Sequence, residues 1–169
     1  QIGEGYAQRR RPDPRIAAAI VDALGDAHSV LNVGAGAGSY EPGDRGVTAV
    51  EPSALMIRQR SANAAPCVQA SAEALPFADG AFDAAMAVLT IHHWSDWRAG
   101  LREMRRVARR RIVLLTFDAE AADFWLMRDY FPQLLELDRQ IMPKLSELAE
   151  ALGPFHAAAA PVPHDCIDG

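Results

Sequence analysis

A short apolar segment that runs directly into alternating glycines is the feature that most constrains how this chain folds. Residues 30–38 read V-L-N-V-G-A-G-A-G, with glycine at every second position from Gly34 to Gly38. Glycine loses more conformational freedom on folding than any other residue, so this clustering indicates a backbone requirement. It allows a tight turn and a close approach of another group to the backbone. A strand, a glycine turn and a helix in this order form a layout that cradles nucleotides, because the helix start offers free N–H groups.

An acidic residue at the end of the next apolar segment supports the same interpretation. Residues 46–51 read G-V-T-A-V-E, which predicts a strand that ends at Glu51. A carboxylate in that position can accept hydrogen bonds from both hydroxyls of a ribose. The glycine spacing is G-x-G-x-G, and Ser39 stands where the dinucleotide pattern G-x-G-x-x-G requires its last glycine. Because Glu41 and Asp44 lie in the same loop, a cationic ligand is favoured over a pyrophosphate.

Strand patterns alternate with helical patterns along most of the chain. Strands are predicted at residues 30–33, 46–51, 67–70, 82–91 and 112–117. Helices are predicted from Pro12 and Pro14 to a stop at Gly25, from within residues 52–58, and after a cap at Ser95. This alternation is typical of a parallel sheet with right-handed crossovers.

The last third of the chain has a different pattern. Residues 119–152 are predicted to be amphipathic and helical, with interruptions at Pro132 and Pro143. This segment is too long for one plain crossover helix. Residues 154–163 have only a weak pattern for a sixth strand, and the sequence then leaves no room for another. We therefore expect that the native domain extends beyond residue 169.

Composition excludes several classes of protein. The 169 residues, 50% hydrophobic and 23% charged, have the size of one globular domain. A net charge of −5 gives no overall field that favours nucleic acid or an anionic membrane. The two cysteines have no metal-type or disulfide-framework spacing, and no apolar run reaches the length of about 18 residues that a membrane span needs. We therefore expect a cytoplasmic protein.

A run of arginines keeps a nucleic-acid interface open as an alternative. Its members are Arg98, Arg102, Arg105, Arg106, Arg109, Arg110 and Arg111. The competing explanation is the solvent-facing side of a helix, in a protein whose only lysine is Lys144. Because the net charge is negative and no aromatic residues interleave at the end of the run, we favour the competing explanation.

Taken in order, the motifs resemble those of class I S-adenosylmethionine-dependent methyltransferases, within the ubiquinone/menaquinone-biosynthesis-type branch. The set is V-L-N-V-G-A-G-A-G, V-T-A-V-E-P-S, A-S-A-E-A-L-P-F, F-D-A-A-M-A-V-L-T-I-H-H-W and L-R-E-M-R-R-V-A-R, over residues 6–118. The resemblance implies a Rossmann-like α/β fold, with a mostly parallel central sheet flanked by helices and with its last strands incomplete here. It also implies one cofactor-binding domain over residues 1–169, in which residues 119–152 form a helical insert on the substrate side.

The resemblance assigns a cofactor, S-adenosyl-L-methionine, and the residues that would hold it. The N-terminal segment would fold over the methionine end, the glycines would lie under the methionine and ribose, and the acid at 51 would hold the ribose hydroxyls. Backbone groups of residues 71–73 would meet adenine. The predicted cofactor-binding set is Tyr6, Arg11, Asn32, Gly34, Ala35, Gly36, Gly38, Glu51, Pro52, Ser71, Ala72, Glu73 and Leu89.

Two members of that set depart from the family pattern. The family usually has Asp or Glu where Asn32 stands, and asparagine accepts a hydrogen bond without bringing a charge. The family often has Asp where Ser71 stands, to accept from the adenine amino group. Ser71 can accept that bond more weakly, or Glu73 can replace it.

Two adjacent histidines at the predicted end of the fourth strand are the candidate catalytic residues. Methyl transfer from a sulfonium needs a base only if the acceptor must lose a proton. Because successive strand residues face opposite ways, we expect only one of the pair to face the cofactor, and His93 is preferred to His92. The alternative is that both are polar residues of a strand end. No metal site is expected, and T-I-H-H-W lacks the Asn-Pro-Pro-aromatic run of methylases that act on DNA amino groups.

An aromatic cluster bears on the methyl acceptor. The cluster is Phe124, Trp125, Tyr130 and Phe131, and it lies in the segment that covers the substrate pocket in related enzymes. It suggests a flat or apolar small molecule, and its alternative is ordinary core packing.

The sequence therefore predicts an enzyme that transfers a methyl group to oxygen, carbon or nitrogen of a small-molecule acceptor. No nucleic-acid or membrane partner is expected, and a homodimer is left open. One alternative is a relative that binds the cofactor without catalysis. Another is a nicotinamide-dependent reductase, which is disfavoured because of Ser39 and because no Tyr-x-x-x-Lys motif occurs.

Overall fold

The computed structural model describes residues 12–118, 129–153 and 157–163. Within these residues, the centre is a sheet of five parallel strands in the order β3-β2-β1-β4-β5. The strands are β1 Ser29–Val33, β2 Gly46–Val50, β3 Cys67–Val68, β4 Phe82–Val88 and β5 Ala108–Leu115. The predicted parallel α/β fold is confirmed.

Helices cover both faces of this sheet. They are α1 Pro14–Leu24, α2 Ala54–Arg58, α3 Trp97–Val107, α4 Pro132–Ile141 and α5 Leu145–Leu152. Alternation along β1 separates the two cores, because Leu31 faces α3 and α5 whereas Val30 faces α1. Leu148 of α5 is buried in the first of these cores. Among the described residues, no helix combines the length and apolar character needed to cross a membrane.

The ends of α1 agree with the sequence signals. Asp13 caps its N-terminus, because the carboxylate accepts a hydrogen bond from the backbone N–H of Arg15 at 2.8 Å. Pro14 occupies the first turn, where a missing N–H costs nothing. Gly25 ends the helix with a φ of 54°.

The other predicted boundaries need correction. Strand β4 ends at Val88 rather than at residue 91, and Ile91–His93 form a 3₁₀ turn. Helix α3 is capped by Asp96 rather than Ser95, since the Asp96 carboxylate accepts from the N–H of Ala99 at 2.9 Å.

Strand lengths at the sheet margin also differ from the prediction. Strand β3 has two residues instead of four. Strand β5 begins at Ala108, four residues earlier than expected, because exposed arginines tolerate strand geometry at a sheet edge. Residues 157–163 form no strand, so the expectation of a sixth strand is wrong for that described part of the chain.

The connection from β1 to β2 contains turns and no helix, although the sequence pattern led us to expect one. All of its residues, 34–45, are described. Twelve residues suffice to join parallel neighbours, which is close to the shortest crossover that a parallel pair permits. Tyr40, in a left-handed conformation with φ 62°, accepts a hydrogen bond on its hydroxyl from the N–H of Asp13 at 3.1 Å. The loop thus contacts the start of α1.

Candidate functional site

The glycine turn lies at the carboxyl edge of the sheet, directly after β1. Gly34 and Ala35 both donate their N–H groups to the carbonyl of Val50, at 2.8 and 2.9 Å, so the turn is fastened to the end of β2. Gly34 has a φ of 70°, and a Cβ built there would lie 2.2 Å from Oγ1 of Thr90. Glycine at 34 is therefore required by the packing of Thr90, which follows β4, as well as by its own backbone conformation.

Glu51 follows β2 and is buried, with 7% of its surface exposed. One carboxylate oxygen accepts the N–H of Gly36 at 2.9 Å, and the other accepts the N–H of Ser53 at 2.9 Å. A carboxylate has about four acceptor sites, so each oxygen keeps capacity for one further donor. The predicted arrangement of glycine turn and acid is thus brought together by a direct bond from Gly36.

A buried ion pair lies behind the same turn. Arg60 and Glu41 are 2.7 Å apart, and their side chains are 5% and 8% exposed. Asn32 donates from Nδ2 to Glu41 at 3.1 Å, while its own Oδ1 is buried without a hydrogen-bond partner. Neither member of the ion pair belongs to the predicted site. Glu41 stood out in the sequence only as a charge in the loop, and no local pattern marks Arg60.

The segment 71–73 lies between the sheet edge and the start of α3. The Glu73 carboxylate accepts the N–H of Asp96 at 3.2 Å. Burial raises the pKa of Glu73, but hydrogen bonds from backbone N–H groups and from the Ser71 hydroxyl outweigh it and hold the pKa below its usual value. Ala72 is buried, and a Cβ built at Gly100 of α3 would lie 3.3 Å from its Cβ. The segment is therefore anchored to α3 rather than free.

Leu89 adopts a strained conformation at the end of β4. Its φ is 51°, it is 37% exposed, and its N–H donates to the carbonyl of Leu115 at 2.8 Å. Non-glycine residues in the left-handed region cost about 1–3 kcal/mol and concentrate at functional sites. Strain at this position places an unusual backbone next to the glycine turn.

The two histidines lie side by side in the 3₁₀ turn. Their ring centroids are 3.9 Å apart at an angle of 53°. The strand alternation from which we expected only one of them to face the site does not apply here, because this segment is not a strand. His92 is half-buried and His93 is exposed. Burial, followed by the neighbouring His93, lowers the pKa of His92, with a smaller opposing effect of Asp138.

Several predicted residues are exposed or lie outside the described residues. Pro52 is exposed, and its carbonyl accepts a hydrogen bond from Gln69 at 3.0 Å. The side chains of Tyr130 and Phe131 are 68% and 48% exposed, which argues against core packing of that half of the aromatic cluster. Tyr6, Arg11, Phe124 and Trp125 lie outside the described residues.

Most of the arginine run is neutralised by acidic partners. Arg106 pairs with Glu103 at 2.7 Å and with Asp79 at 2.9 Å, which raises its pKa above the usual value. Further pairs join Arg98 to Glu147, Arg102 to Asp96, Arg109 to Asp83, and both Arg110 and Arg111 to Asp26. This pairing favours a structural explanation of the run. Within the described part of the chain, no group of three or more His, Cys, Asp or Glu could hold a metal ion.

Comparison with known proteins gives a consistent result. The family model described as a methyltransferase domain matches residues 31–116, just over half of the chain. The chain is 30% identical over 141 residues to an uncharacterized methyltransferase, YcgJ, of Bacillus subtilis, covering 77% of this chain and 56% of YcgJ. It is 34% identical over 115 residues to a malonyl-[acyl-carrier protein] O-methyltransferase of Erwinia pyrifoliae, covering 64% of this chain and 39% of that protein.

A solved structure shows the same likeness. A protein described as a methyltransferase from an antibiotic biosynthesis pathway of Anabaena variabilis superimposes with a TM-score of 0.74 at 36% identity, covering 83% of this chain and 60% of its own. The chain thus spans about half or less of the curated relatives named above and somewhat more of this structure.

Proposed function

The chain belongs to the methyltransferase domain family, with the Rossmann-like fold of class I S-adenosylmethionine-dependent methyltransferases, and we propose that it transfers a methyl group from S-adenosylmethionine to a small-molecule acceptor. One observation carries the proposal. Buried Glu51 at the carboxyl end of β2 is bonded to the glycine turn and retains acceptor capacity on both oxygens. In parallel α/β sheets, ligands bind at this edge.

The residues present fit this cofactor. The two spare acceptor sites of Glu51 match the two hydroxyls of a ribose. Gly36 has only the terminal carbon of Met56 near its absent Cβ, at 3.5 Å, so the backbone there is open to close approach. Glu41 is matched by Arg60, so no unpaired positive charge is offered to a pyrophosphate. Because both loop acids are paired, Glu41 with Arg60 and Asp44 with Arg45, they do not themselves attract a cation, and the fit to S-adenosylmethionine rests on Glu51 and the open backbone of the turn.

When bound, S-adenosylmethionine supplies a methyl group that is already activated by the sulfonium. The chain's own contribution is then to position the reactants and to exclude water. Ala72 and Glu73, held against α3, would present backbone groups to adenine. The proposed contacts also include Asn32, whose buried Oδ1 has no hydrogen-bond partner, and Leu89, whose backbone is strained.

Proton removal from the acceptor is proposed for the histidine pair. The half-burial of His92 lowers its pKa, so the neutral imidazole that can accept a proton prevails at pH 7. Because His92 is half-buried whereas His93 is exposed, His92 is the better shielded from water, and we propose it as the base in place of the initially preferred His93. His92→Gln is expected to lower kcat while leaving cofactor affinity within about twofold, and His93→Gln to have the smaller effect on kcat. Equal losses in both variants, or none, would contradict this assignment.

The cofactor is tested by calorimetric titration with S-adenosylmethionine and S-adenosylhomocysteine. Glu51→Gln is expected to weaken binding by about 10–100-fold, because a buried acceptor for a ribose hydroxyl is lost. Asp83→Asn is the matched control, since Asp83 also accepts backbone N–H groups but lies at the amino edge of the sheet. Its affinity should stay unchanged. No binding by the wild-type chain would sink the proposal, whereas binding without turnover on any acceptor would indicate a catalytically silent relative.

The acceptor, the compartment and the assembly belong to the same proposal. The Erwinia pyrifoliae relative is named for a malonyl-[acyl-carrier protein] acceptor, and a relative from Corynebacterium urealyticum, 34% identical over 110 residues, is named for demethylmenaquinone. We infer a small molecule or a small carried group rather than nucleic acid for this chain, acting in the cytoplasm. Light scattering after size-exclusion chromatography tests the proposed homodimer, and an acceptor screen with radiolabelled methyl groups tests the substrate class.

A further inference from the structure

We propose that the buried ion pair of Arg60 and Glu41 is a positioning element for cofactor binding, which holds the glycine turn where a helix would otherwise do so. The inference rests on the proposed function, because it concerns the same cofactor. It assigns a role to two residues that would not themselves touch the cofactor.

The contacts of Arg60 and Glu41 together join three separate segments. Its Nη2 donates to both carboxylate oxygens of Glu41 at 2.7 and 2.9 Å and to the carbonyl of Ala65 at 3.0 Å. Its Nη1 donates to the carbonyl of Gly36 at 3.2 Å. Glu41 in turn accepts from the N–H of Ala65 at 3.0 Å and from Asn32 at 3.1 Å. The ion pair therefore ties the glycine turn to the segment before β3 and, through Glu41, to Asn32 of β1.

The lack of a helix in the crossover between β1 and β2 explains why the glycine turn needs the support of this ion pair. Residues 34–45 form turns, so the crossover itself supplies no helix to hold the glycine turn. Replacing a buried ion pair by apolar residues of similar volume is often neutral or stabilising, so such a pair is weak support for stability alone. The contacts of Arg60 and Glu41 with the glycine turn indicate instead that the pair orients this turn.

The ion pair is connected to Glu51, the proposed ribose-binding acid, through a single residue, Gly36. Gly36 has its carbonyl held by Arg60 and donates its N–H to Glu51 at 2.9 Å. A Cβ built at Gly38 would lie 3.2 Å from Oε2 of Glu41 and 3.4 Å from Nη1 of Arg60, so the ion pair also packs closely against the end of the turn. A displacement of the ion pair would therefore move both the turn and the carboxylate that it orients.

The pair also accounts for the asparagine at position 32. Asn32 is 1% exposed and donates to Glu41, so an acid in its place would put two carboxylates side by side in the interior. The negative charge behind the turn comes from Glu41, where Arg60 balances it, instead of from β1. The three residues thus form one coupled set.

The test compares affinity for S-adenosylhomocysteine with thermal stability in wild type, Arg60→Lys and a matched control. Lysine keeps the charge beside Glu41 but lacks the planar fork that reaches Gly36 and Ala65 together. We expect Arg60→Lys to bind about tenfold more weakly, because charge-assisted bonds to the turn are lost, while its unfolding midpoint changes little.

The control is Arg45→Lys at the far end of the same crossover. Arg45 is likewise buried, with 9% of its side chain exposed, and it bonds Asp44 and the carbonyls of Gly25 and Ala27. These contacts lie away from the glycine turn. Arg45→Lys should therefore keep wild-type affinity.

A double variant separates orientation from stability. Arg60→Met with Glu41→Leu removes both charges, so it should stay folded where Arg60→Met alone is destabilised. If the pair positions the turn, the folded double variant still binds at least about fivefold more weakly than wild type. Affinity within about twofold of wild type in Arg60→Lys or in the double variant would overturn the inference. A loss of affinity that is fully explained by a smaller fraction of folded protein would also overturn the inference. A wild-type chain that binds no S-adenosylhomocysteine would instead overturn the proposed function.

Discussion

The two edges of the parallel sheet treat their acids in opposite ways. At the amino edge, Asp83 accepts the N–H groups of His28 and Ser29 and the Ser29 hydroxyl at 3.0–3.1 Å, and it pairs with Arg109 at 2.9 Å. At the carboxyl edge, Glu51 accepts two backbone N–H groups and keeps room for more. The acceptor sites of Asp83 are occupied by hydrogen bonds within the fold, whereas Glu51 keeps acceptor sites that a ligand could use.

The difference teaches where this fold leaves capacity for a ligand. The carboxyl edge also holds the buried, unpartnered Oδ1 of Asn32 and the strained backbone of Leu89. Buried polar atoms without partners and left-handed non-glycine residues are costly, and a folded protein keeps them where they serve a purpose. Variants of the two edges should therefore differ in how they change stability and its dependence on pH and salt, and four predictions test that difference.

The largest expected effect is that of Gly34→Ala at the carboxyl edge. The new Cβ would meet Oγ1, Cγ2 and Cβ of Thr90 at 2.2, 2.9 and 3.0 Å, so no rotation of the threonine relieves the clash. Together with a φ of 70°, this should lower the free energy of unfolding by about 3–4 kcal/mol in urea titrations. Gly43→Ala is the control, because nothing lies within 4 Å of its added Cβ. Equal stability of the two variants would contradict the prediction.

Asn32→Asp should have the next largest effect. A second carboxylate beside Glu41 would either remain charged against it or take up a proton, at a cost of about 2 kcal/mol of folding free energy. The loss should diminish as the pH falls from 7 toward the unfolded-state pKa of about 3.9, because the new carboxyl then needs less free energy to take up its proton. Asn63→Asp, on the exposed surface, is the control for the charge itself. Chemical unfolding at pH 7 and pH 5 measures both, and an Asn32→Asp protein as stable as this control would argue against the coupled set.

Asp83→Asn tests the amino edge through its pH dependence. Hydrogen bonds from the Ser29 backbone and hydroxyl, with smaller contributions from Arg109 and His28, hold the pKa of Asp83 well below its usual range. Because the folded pKa lies below the unfolded value of about 3.9, the stabilisation is present above that pH and is lost as the pH falls through the folded value.

The variant should therefore unfold at a lower temperature than wild type at pH 7, and the gap should narrow toward about pH 3. Melting curves across this range provide the measurement. Parallel curves for the two proteins would show that Asp83 contributes no such linkage.

Arg110→Gln should have the smallest effect. Arg110 and Asp26 pair at the amino edge with 46% and 64% of their side chains exposed, and exposed pairs contribute little and are screened by salt. The unfolding midpoint should hardly move, and any shift should vanish in about 1 M salt. A large loss of stability that persists at high salt would mean that the amino edge depends on this exposed ion pair for its stability.

Much of the fold could be predicted from local patterns. The apolar runs at β1, β2 and β4, the proline at the start of α1 and the glycine at its end produced the correct elements and the parallel sheet, because those signals depend on neighbours in the chain. Strand ends were less predictable. The apolar run after Phe82 continues to residue 91 in the sequence, but the chain leaves the sheet at Val88, where Leu89 turns to a positive φ.

The sequence alone determined the class of fold, the glycine turn, the acid at its side and the family, since each depends on residue types at short, regular spacing. Only the tertiary structure decided that the crossover lacks a helix, that Arg60 lies behind the turn with Glu41, and that both histidines share one 3₁₀ turn. Arg60 and Gly36 are 24 residues apart, and no local pattern records a contact across that distance. Packing of the completed sheet brings them together, because the edge where the strands end exists only once all the strands are paired.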